Sequence, residues 1–273
     1  MYPILLQFGD IVIANFGIFL TIAYFAFIIG VTKFADSRHV HPGFFLKHAA
    51  VLTILSYIGV KLLFWILNFP RLYQDVTNNI ADSWYIGVIK LLFNMDEFYV
   101  WGAVLLFGAG FYYFAKKEKE PVLIWYDIFI SSLSISLFFG FIGAFLGGYY
   151  VGSETTSIFG VSFASSDIRY SLAAQISSSV SVHPIQLYFA IISLFIFFVC
   201  LKMMKKVQVP GLVGVIGTIL LSLSTIFIEF FRSPSDRIFF IGNFTINQIF
   251  ALLCVIGAIY LFMKKLPRIG SEE

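Results

Sequence analysis

Seven stretches of the chain are almost free of polar residues, and each is about as long as a helix must be to cross the hydrocarbon of a bilayer, roughly 20 residues. They run Ile11–Thr32, Phe45–Leu67, Phe98–Ala115, Trp125–Gly148, Pro184–Leu201, Gly211–Phe231 and Phe244–Met263. The third has the least distinct start, because "NMDEFYVWG" precedes it. This pattern predicts an all-α integral membrane protein of seven transmembrane helices, residues 1–273 forming one domain. Two connections are longer than the rest, 68–97 and 149–183. The first contains "WYIGVIKLLF", too short to span and expected to lie along the interface. The second carries Ser, Thr and Gly among scattered apolar residues and is expected to form a small outer cap. There is no internal repeat.

Composition agrees with lipid as the main solvent. The 273 residues are 59% hydrophobic and 12% charged, whereas soluble domains carry about 25% charged residues. A net charge of +3 is too small to argue for nucleic acid, so the distribution of charge matters more. Twelve of the eighteen Lys and Arg fall on alternate connections and the C-terminal tail. They are Lys33, Arg38, Lys47, Lys116, Lys117, Lys119, Lys202, Lys205, Lys206, Lys264, Lys265 and Arg268. Positive charge stays in the cytoplasm, which predicts an N-terminus outside and a C-terminus inside. Cys200 and Cys254 both lie in apolar runs, as inert buried thiols do. No basic residue precedes the first apolar run, so the start does not read as a cleaved signal peptide.

Four features bear on chemistry. "GFIGAFLGGYYVG" spaces Gly143/Gly147 and Gly148/Gly152 as G-x-x-x-G, which lets two helices approach closely in lipid. "IEFFRSPSD" places Glu229 and Arg232 three apart near the outer end of a span, where they can pair. They would form either an interfacial ion pair with snorkelling side chains or a site where Arg232 forks onto a phosphate. Lys61 is the most deeply embedded charge and should face a bundle interior or a wet cavity. "SVHPIQLYFAII" opens a span with a proline at a helix start, His183 reading as the cap and Gln186 and Tyr188 as its first turn.

"HPIQLY" resembles the H-P-x-Q-L-Y-E element of the bacterial prolipoprotein diacylglyceryl transferases. Similar in order along the chain are "MYPILLQFG", "NFG" (Asn15–Gly17), "NFP" (Asn68–Pro70), "FAKKEKEPVLIWYD" with its aspartate Asp127, "EFFRSP" and "INQI". The resemblance implies a bacterial inner-membrane, multi-pass enzyme of lipoprotein biosynthesis. Such enzymes transfer diacylglyceryl from phosphatidylglycerol to the lipobox cysteine of a prolipoprotein and release glycerol 1-phosphate. It implies no cofactor and no metal; the expected partners are the phospholipid and the prolipoprotein signal peptide. It assigns catalysis to His183, Glu229 and Arg232, and substrate binding to Gln186, Tyr188, Gly143, Gly148, Gly152 and Gln248.

Other family marks are missing. The signature G-R-x-G-N-F-x-N-G-E-x-x-G falls without gaps on Gly140–Gly152, where its arginine is Phe141, its asparagines Ala144 and Gly147, and its glutamate Tyr149. The family's histidine falls on Trp101, its second arginine on Thr225, its first tyrosine on Phe16, and the glutamate after H-P-x-Q-L-Y on Phe189. Losing one buried phosphate-binding guanidinium costs several kcal/mol, about the scale of truncating a buried charge pair. The expectation is therefore a divergent or impaired transferase; its alternative is an inactive paralogue that binds lipid or lipoprotein, or partners another membrane protein.

Overall fold

The computed structural model describes residues 4–8, 11–69, 99–163, 180–234, 239–241 and 244–265. Among these residues lie seven α-helices: α1 Asn15–Ser37, α2 Gly43–Leu67, α3 Val100–Glu118, α4 Val122–Gly147, α5 Ile185–Lys206, α6 Leu212–Ile228 and α7 Ile246–Lys265. All except α3 are long and apolar enough to cross a membrane, α6 together with the 3-10 turn that continues it to Phe231; the polar end of α3, Lys116 to Glu118, lies within the helix itself. The protein is thus an all-helical, multi-pass membrane protein with six such spans among the described residues. Among the described residues, short antiparallel strand pairs and a 3-10 turn, Glu229–Phe231, add to the helices: β1 Ile4–Phe8 with β2 Ile11–Ala14, β3 Val161–Ser162 with β4 Ser181–Val182, and β5 Phe239–Ile241 with β6 Phe244–Thr245.

The start of the chain differs from the sequence expectation. The span expected from Ile11 begins at Asn15, because Ile11–Ala14 pairs with Ile4–Phe8 as a hairpin. Two short apolar runs on either side of Gly9-Asp10 are a hairpin pattern, and the run of hydropathy hid it. The interfacial stretch "WYIGVIKLLF" lies outside the described residues. Large side chains such as Phe25, Phe195, Phe198, Phe227 and Ile256 are exposed on the helices, the surface a lipid solvent calls for.

The chain divides into two compact units, Met1–Val40 with Leu123–Glu273, and His41–Val122. In the first, α6 packs against α5 and α7. Where α4 meets α1, small residues make the contact. A Cβ on Gly30 would come within 2.9 Å of Ser132 Oγ, and one on Gly143 within 2.5 Å of Phe19 Cβ. Gly143 and Gly147 therefore act as the packing pair their spacing suggests, both facing α1. Gly148 and Gly152 do not, since the helix ends at Gly147. Ser131, Ser132 and Ser134 return their hydroxyls to carbonyls four residues back, which satisfies them without water.

A carboxylate fixes the start of α6. Asp127, fully buried on α4, accepts hydrogen bonds from the backbone N–H of Gly211 (2.8 Å) and Gly214 (2.6 Å). These are donors at a helix N-terminus, where negative charge is favoured. Arg38 Nη2, just past the end of α1, stands 4.0 Å from the same carboxylate, and its Nε donates to Met204 Sδ on α5. The ends of α1 and α5 are tied to α4 and α6 at one point.

In the second unit α2 and α3 lie backbone against backbone. A Cβ on Gly59 would strike the carbonyl of Gly102, and one on Gly102 the carbonyl of Gly59. Lys61 is 3% exposed, buried as its depth required. At the other end of the pair Glu118 takes Lys47 Nζ at 2.7 Å and His48 Nε2 at 2.9 Å. These hydrogen bonds, Lys47's first, hold its carboxyl below the usual range. Gly102→Ala is expected to destabilise the protein by about 1–3 kcal/mol, the usual cost of overpacking. Gly108→Ala, whose Cβ meets nothing within 4 Å, should be neutral or better. Melting of both variants in detergent checks this.

Candidate active site

The site is built where α4 ends. Gly148 takes a left-handed conformation, φ +71°, and Tyr149 N–H closes the helix on the Ala144 carbonyl at 2.9 Å. Tyr150 is left-handed too, φ +61°, a backbone state that costs an L side chain about 1–2 kcal/mol. The chain then runs extended through Val151–Thr155 between two flanking segments. On one side Ser153 N–H donates to Phe231 O (2.7 Å) and Ser233 N–H to Val151 O (3.0 Å). On the other, His183 N–H donates to Ser153 O (3.0 Å) and Thr155 N–H to Ser181 O (2.8 Å). Gly152 is pressed against the His183 backbone and bridges to Arg232, where a Cβ would collide with the His183 carbonyl. His183 and Arg232 thereby stand on opposite flanks of one short strand.

Glu229 and Arg232 pair as their spacing predicts, Nη1 to Oε1 at 3.2 Å, but Glu229 does not snorkel. It is 1% exposed, in the 3-10 turn Glu229–Phe231 that closes α6. Two more donors reach it. Tyr150 Oη donates to Oε2 at 2.9 Å, and Asn247 Nδ2 to Oε1 at 3.2 Å and Oε2 at 3.4 Å. Both carboxylate oxygens are thus engaged. Burial pushes the Tyr150 phenol well above its usual range, so it remains a donor. The Arg232 guanidinium lies over the Tyr150 ring, 4.2 Å from its centroid.

Beside this group lies an aromatic wall. Phe141 and Phe189 stack at 4.6 Å with their planes 9° apart, and Tyr150 meets Phe189 edge-on at 5.8 Å. These two phenylalanines stand at the signature's arginine and at the glutamate after H-P-x-Q-L-Y. Thr225, at the other arginine position, bonds back to the Leu221 carbonyl of its own helix.

The remaining expected residues divide into near and remote. His183 Nδ1 lies 3.2 Å from Tyr188 Oη, and its ring meets Phe231 edge-on at 5.1 Å. It does not cap α5, which begins at Ile185 with Pro184 in the cap position and no side-chain cap. Gln186 is fully buried; its Nε2 donates to Tyr149 O at 2.7 Å, while its Oε1 has no hydrogen-bond partner among the described residues. Gly143 packs on α1, and Gly148 and Gly152 shape the backbone of the site. Gln248 is turned to structural work, its Nε2 donating to the Ile226 carbonyl of α6 at 3.4 Å. Its Oε1 accepts from Thr245 N–H at 3.0 Å, and its own N–H donates to Thr245 Oγ1 at 3.3 Å. That reciprocal pair is a capping box, starting α7. The two residues that sequence reasoning missed are Tyr150 and Asn247. Tyr150 follows Tyr149, where the family's glutamate is missing, and Asn247 precedes Gln248; no local pattern distinguished either.

The family model for prolipoprotein diacylglyceryl transferase matches residues 3–264. The chain belongs to that family. A Clostridium tetani protein named phosphatidylglycerol–prolipoprotein diacylglyceryl transferase is 26% identical over 263 residues, 96% of this chain and 97% of its own length. A second, from Clostridium perfringens and named phosphatidylglycerol–prolipoprotein diacylglyceryl transferase 2, is 27% identical over 80% of this chain and 77% of its own. A Chlorobaculum tepidum protein with the first name is 30% identical over 63% of this chain and 57% of its own.

Exchanging the pair, Glu229→Arg with Arg232→Glu, is expected to unfold this family member or cost it about 3–5 kcal/mol, the scale of a broken buried pair. The exchange would bring a guanidinium to the two donors from Tyr150 and Asn247 and a carboxylate to the negative face of the ring. Retained melting temperature in detergent would show the arrangement to be symmetric instead. Gln248→Ala should cost only about 1 kcal/mol, as loss of a cap does, and leave lipid binding intact.

Proposed function

We propose that this chain transfers the diacylglyceryl group of phosphatidylglycerol to the lipobox cysteine of a prolipoprotein, in the bacterial inner membrane. The observation that carries the reading is the Glu229–Arg232 pair set across one strand from His183, in a chain that the family model spans almost end to end. The thiol sulfur attacks the glyceryl carbon that bears the phosphate, the C–O bond breaks, and glycerol 1-phosphate leaves. Arg232 meets the phosphate charge, which grows on the leaving group as the bond breaks. Glu229 holds Arg232, and His183 takes the thiol proton, with Tyr188 at its Nδ1 orienting the ring. Gln186 offers its buried Oε1 to a substrate donor. The apolar helix faces receive the acyl chains and the signal peptide.

A second reading is an inactive paralogue that retains lipid or lipoprotein binding. The Phe141–Phe189 stack favours it, since the ground that should hold a guanidinium is filled by two rings. Expression in a cell depleted of its own transferase separates the two. Mass spectrometry of a lipoprotein's N-terminal cysteine is expected to show the added diacylglyceryl mass, lost in Arg232→Ala; an unmodified cysteine with folded protein present supports the paralogue.

The cap carrying this site faces outward in this reading, with the N-terminus outside and the C-terminus in the cytoplasm. In a variant without its two cysteines, Ser157→Cys, on an exposed turn, should react with an impermeant maleimide in intact spheroplasts. Lys117→Cys should not. Reversed labelling inverts the orientation.

A further inference from the structure

We propose that Tyr150 is a positioning residue for Arg232: its ring fixes the plane of the guanidinium that meets the lipid phosphate. The proposal rests on the phosphate role given to Arg232 above. A guanidinium binds phosphate through a planar fork, so its plane decides which direction an anion can approach from. The contact of Nη1 with Glu229 Oε1 fixes one point of that plane but not its tilt. The ring face 4.2 Å from Cζ bears directly on that tilt.

Tyr150 is itself held from several sides. Its hydroxyl donates to Glu229 Oε2, the oxygen that Nη1 leaves to others, and Asn247 Nδ2 lies 3.5 Å from the same hydroxyl. Its ring edge abuts Phe189 at 5.8 Å and its flank Phe141 at 6.1 Å. One side chain thus touches the carboxylate with its tip and the guanidinium with its face, and the ion pair turns only if the tyrosine turns. The backbone supplies a separate argument. Glycine would adopt φ +61° without strain, as Gly148 adopts +71° two residues earlier. A bulky residue in that state marks a place where the side chain is needed.

The test is a double-mutant cycle on the full-length protein in maltoside micelles doped with phosphatidylglycerol or, separately, phosphatidylcholine. Tyr150→Phe keeps the ring and should bind phosphatidylglycerol within about 3-fold of the wild type. Tyr150→Leu should lose about 10-fold for phosphatidylglycerol and nothing for phosphatidylcholine. Arg232→Lys, a point charge without a plane, should lose about 10-fold beside the tyrosine but under about 2-fold beside the leucine. Should Tyr150→Leu melt below the assay temperature, Tyr150→Met takes its place. Equal losses from Arg232→Lys in both backgrounds, or a phenylalanine as damaging as leucine, overturn the positioning role. A wild type with no preference for phosphatidylglycerol overturns the phosphate reading itself, and this proposal with it. That failure appears before any variant is made, so the two are distinguishable.

Discussion

A carboxylate with both oxygens out of water is a costly group, and the surroundings of Glu229 are arranged to answer it. An isolated buried charge costs several kcal/mol even after relaxation. Here the compensation comes from Arg232 at the end of α6, Tyr150 beyond the end of α4, and Asn247 in the first turn of α7. Three helix ends converge because each holds a donor that one carboxylate requires. The same device works at the other end of α6, where Asp127 gathers two N–H groups of its first turn. A helix of 17 residues, about 25 Å long, is thus secured at each end by a carboxylate. Hydrophobic burial alone gives lipid-embedded helices little preference for one depth or rotation. Those two anchors supply it, and Arg232 inherits its position from them.

Much of the helical frame was legible in the sequence, because a span of some twenty apolar residues has few competing explanations. The ends were legible to within about five residues: α1 and α5 run on past the expected Thr32 and Leu201 to Ser37 and Lys206, and Ile11–Ala14 continued the hydropathy of α1 while belonging to a strand. The glycines were half legible. Gly143 and Gly147 show their purpose by spacing within one segment. Gly59 and Gly102 do not, since each helix brings one and only the fold sets them together. The site was legible at Glu229 and Arg232, which are neighbours on one turn. Tyr150 reaches Glu229 across 79 positions and Asn247 across 18, distances at which sequence carries no local period. Gln248 shows the opposite case: a motif position drew attention to a residue whose amide oxygen starts its own helix and whose nitrogen reaches the Ile226 carbonyl of α6.

The aromatic wall changes what the missing arginine means. Phe141 and Phe189 are in mutual contact, so the two departures from the family pattern lie at a single place. Stacked rings need no counter-charge, and the wall adds nothing to the electrostatic demand already met around Glu229.

The crossing of Gly59 and Gly102 has a consequence that belongs to the solvent. Water enters a slit one molecule wide between two soluble helices, but a bilayer is made of strands as thick as a methylene chain. If α2 and α3 were pushed apart by about 1 Å, no acyl tail could enter, and facing atoms would forfeit a quarter to a half of their contact energy with nothing in exchange. The granularity of the lipid therefore makes this joint brittle: it closes fully or pays along its whole length. A helix pair with that property holds its own crossing against small separations.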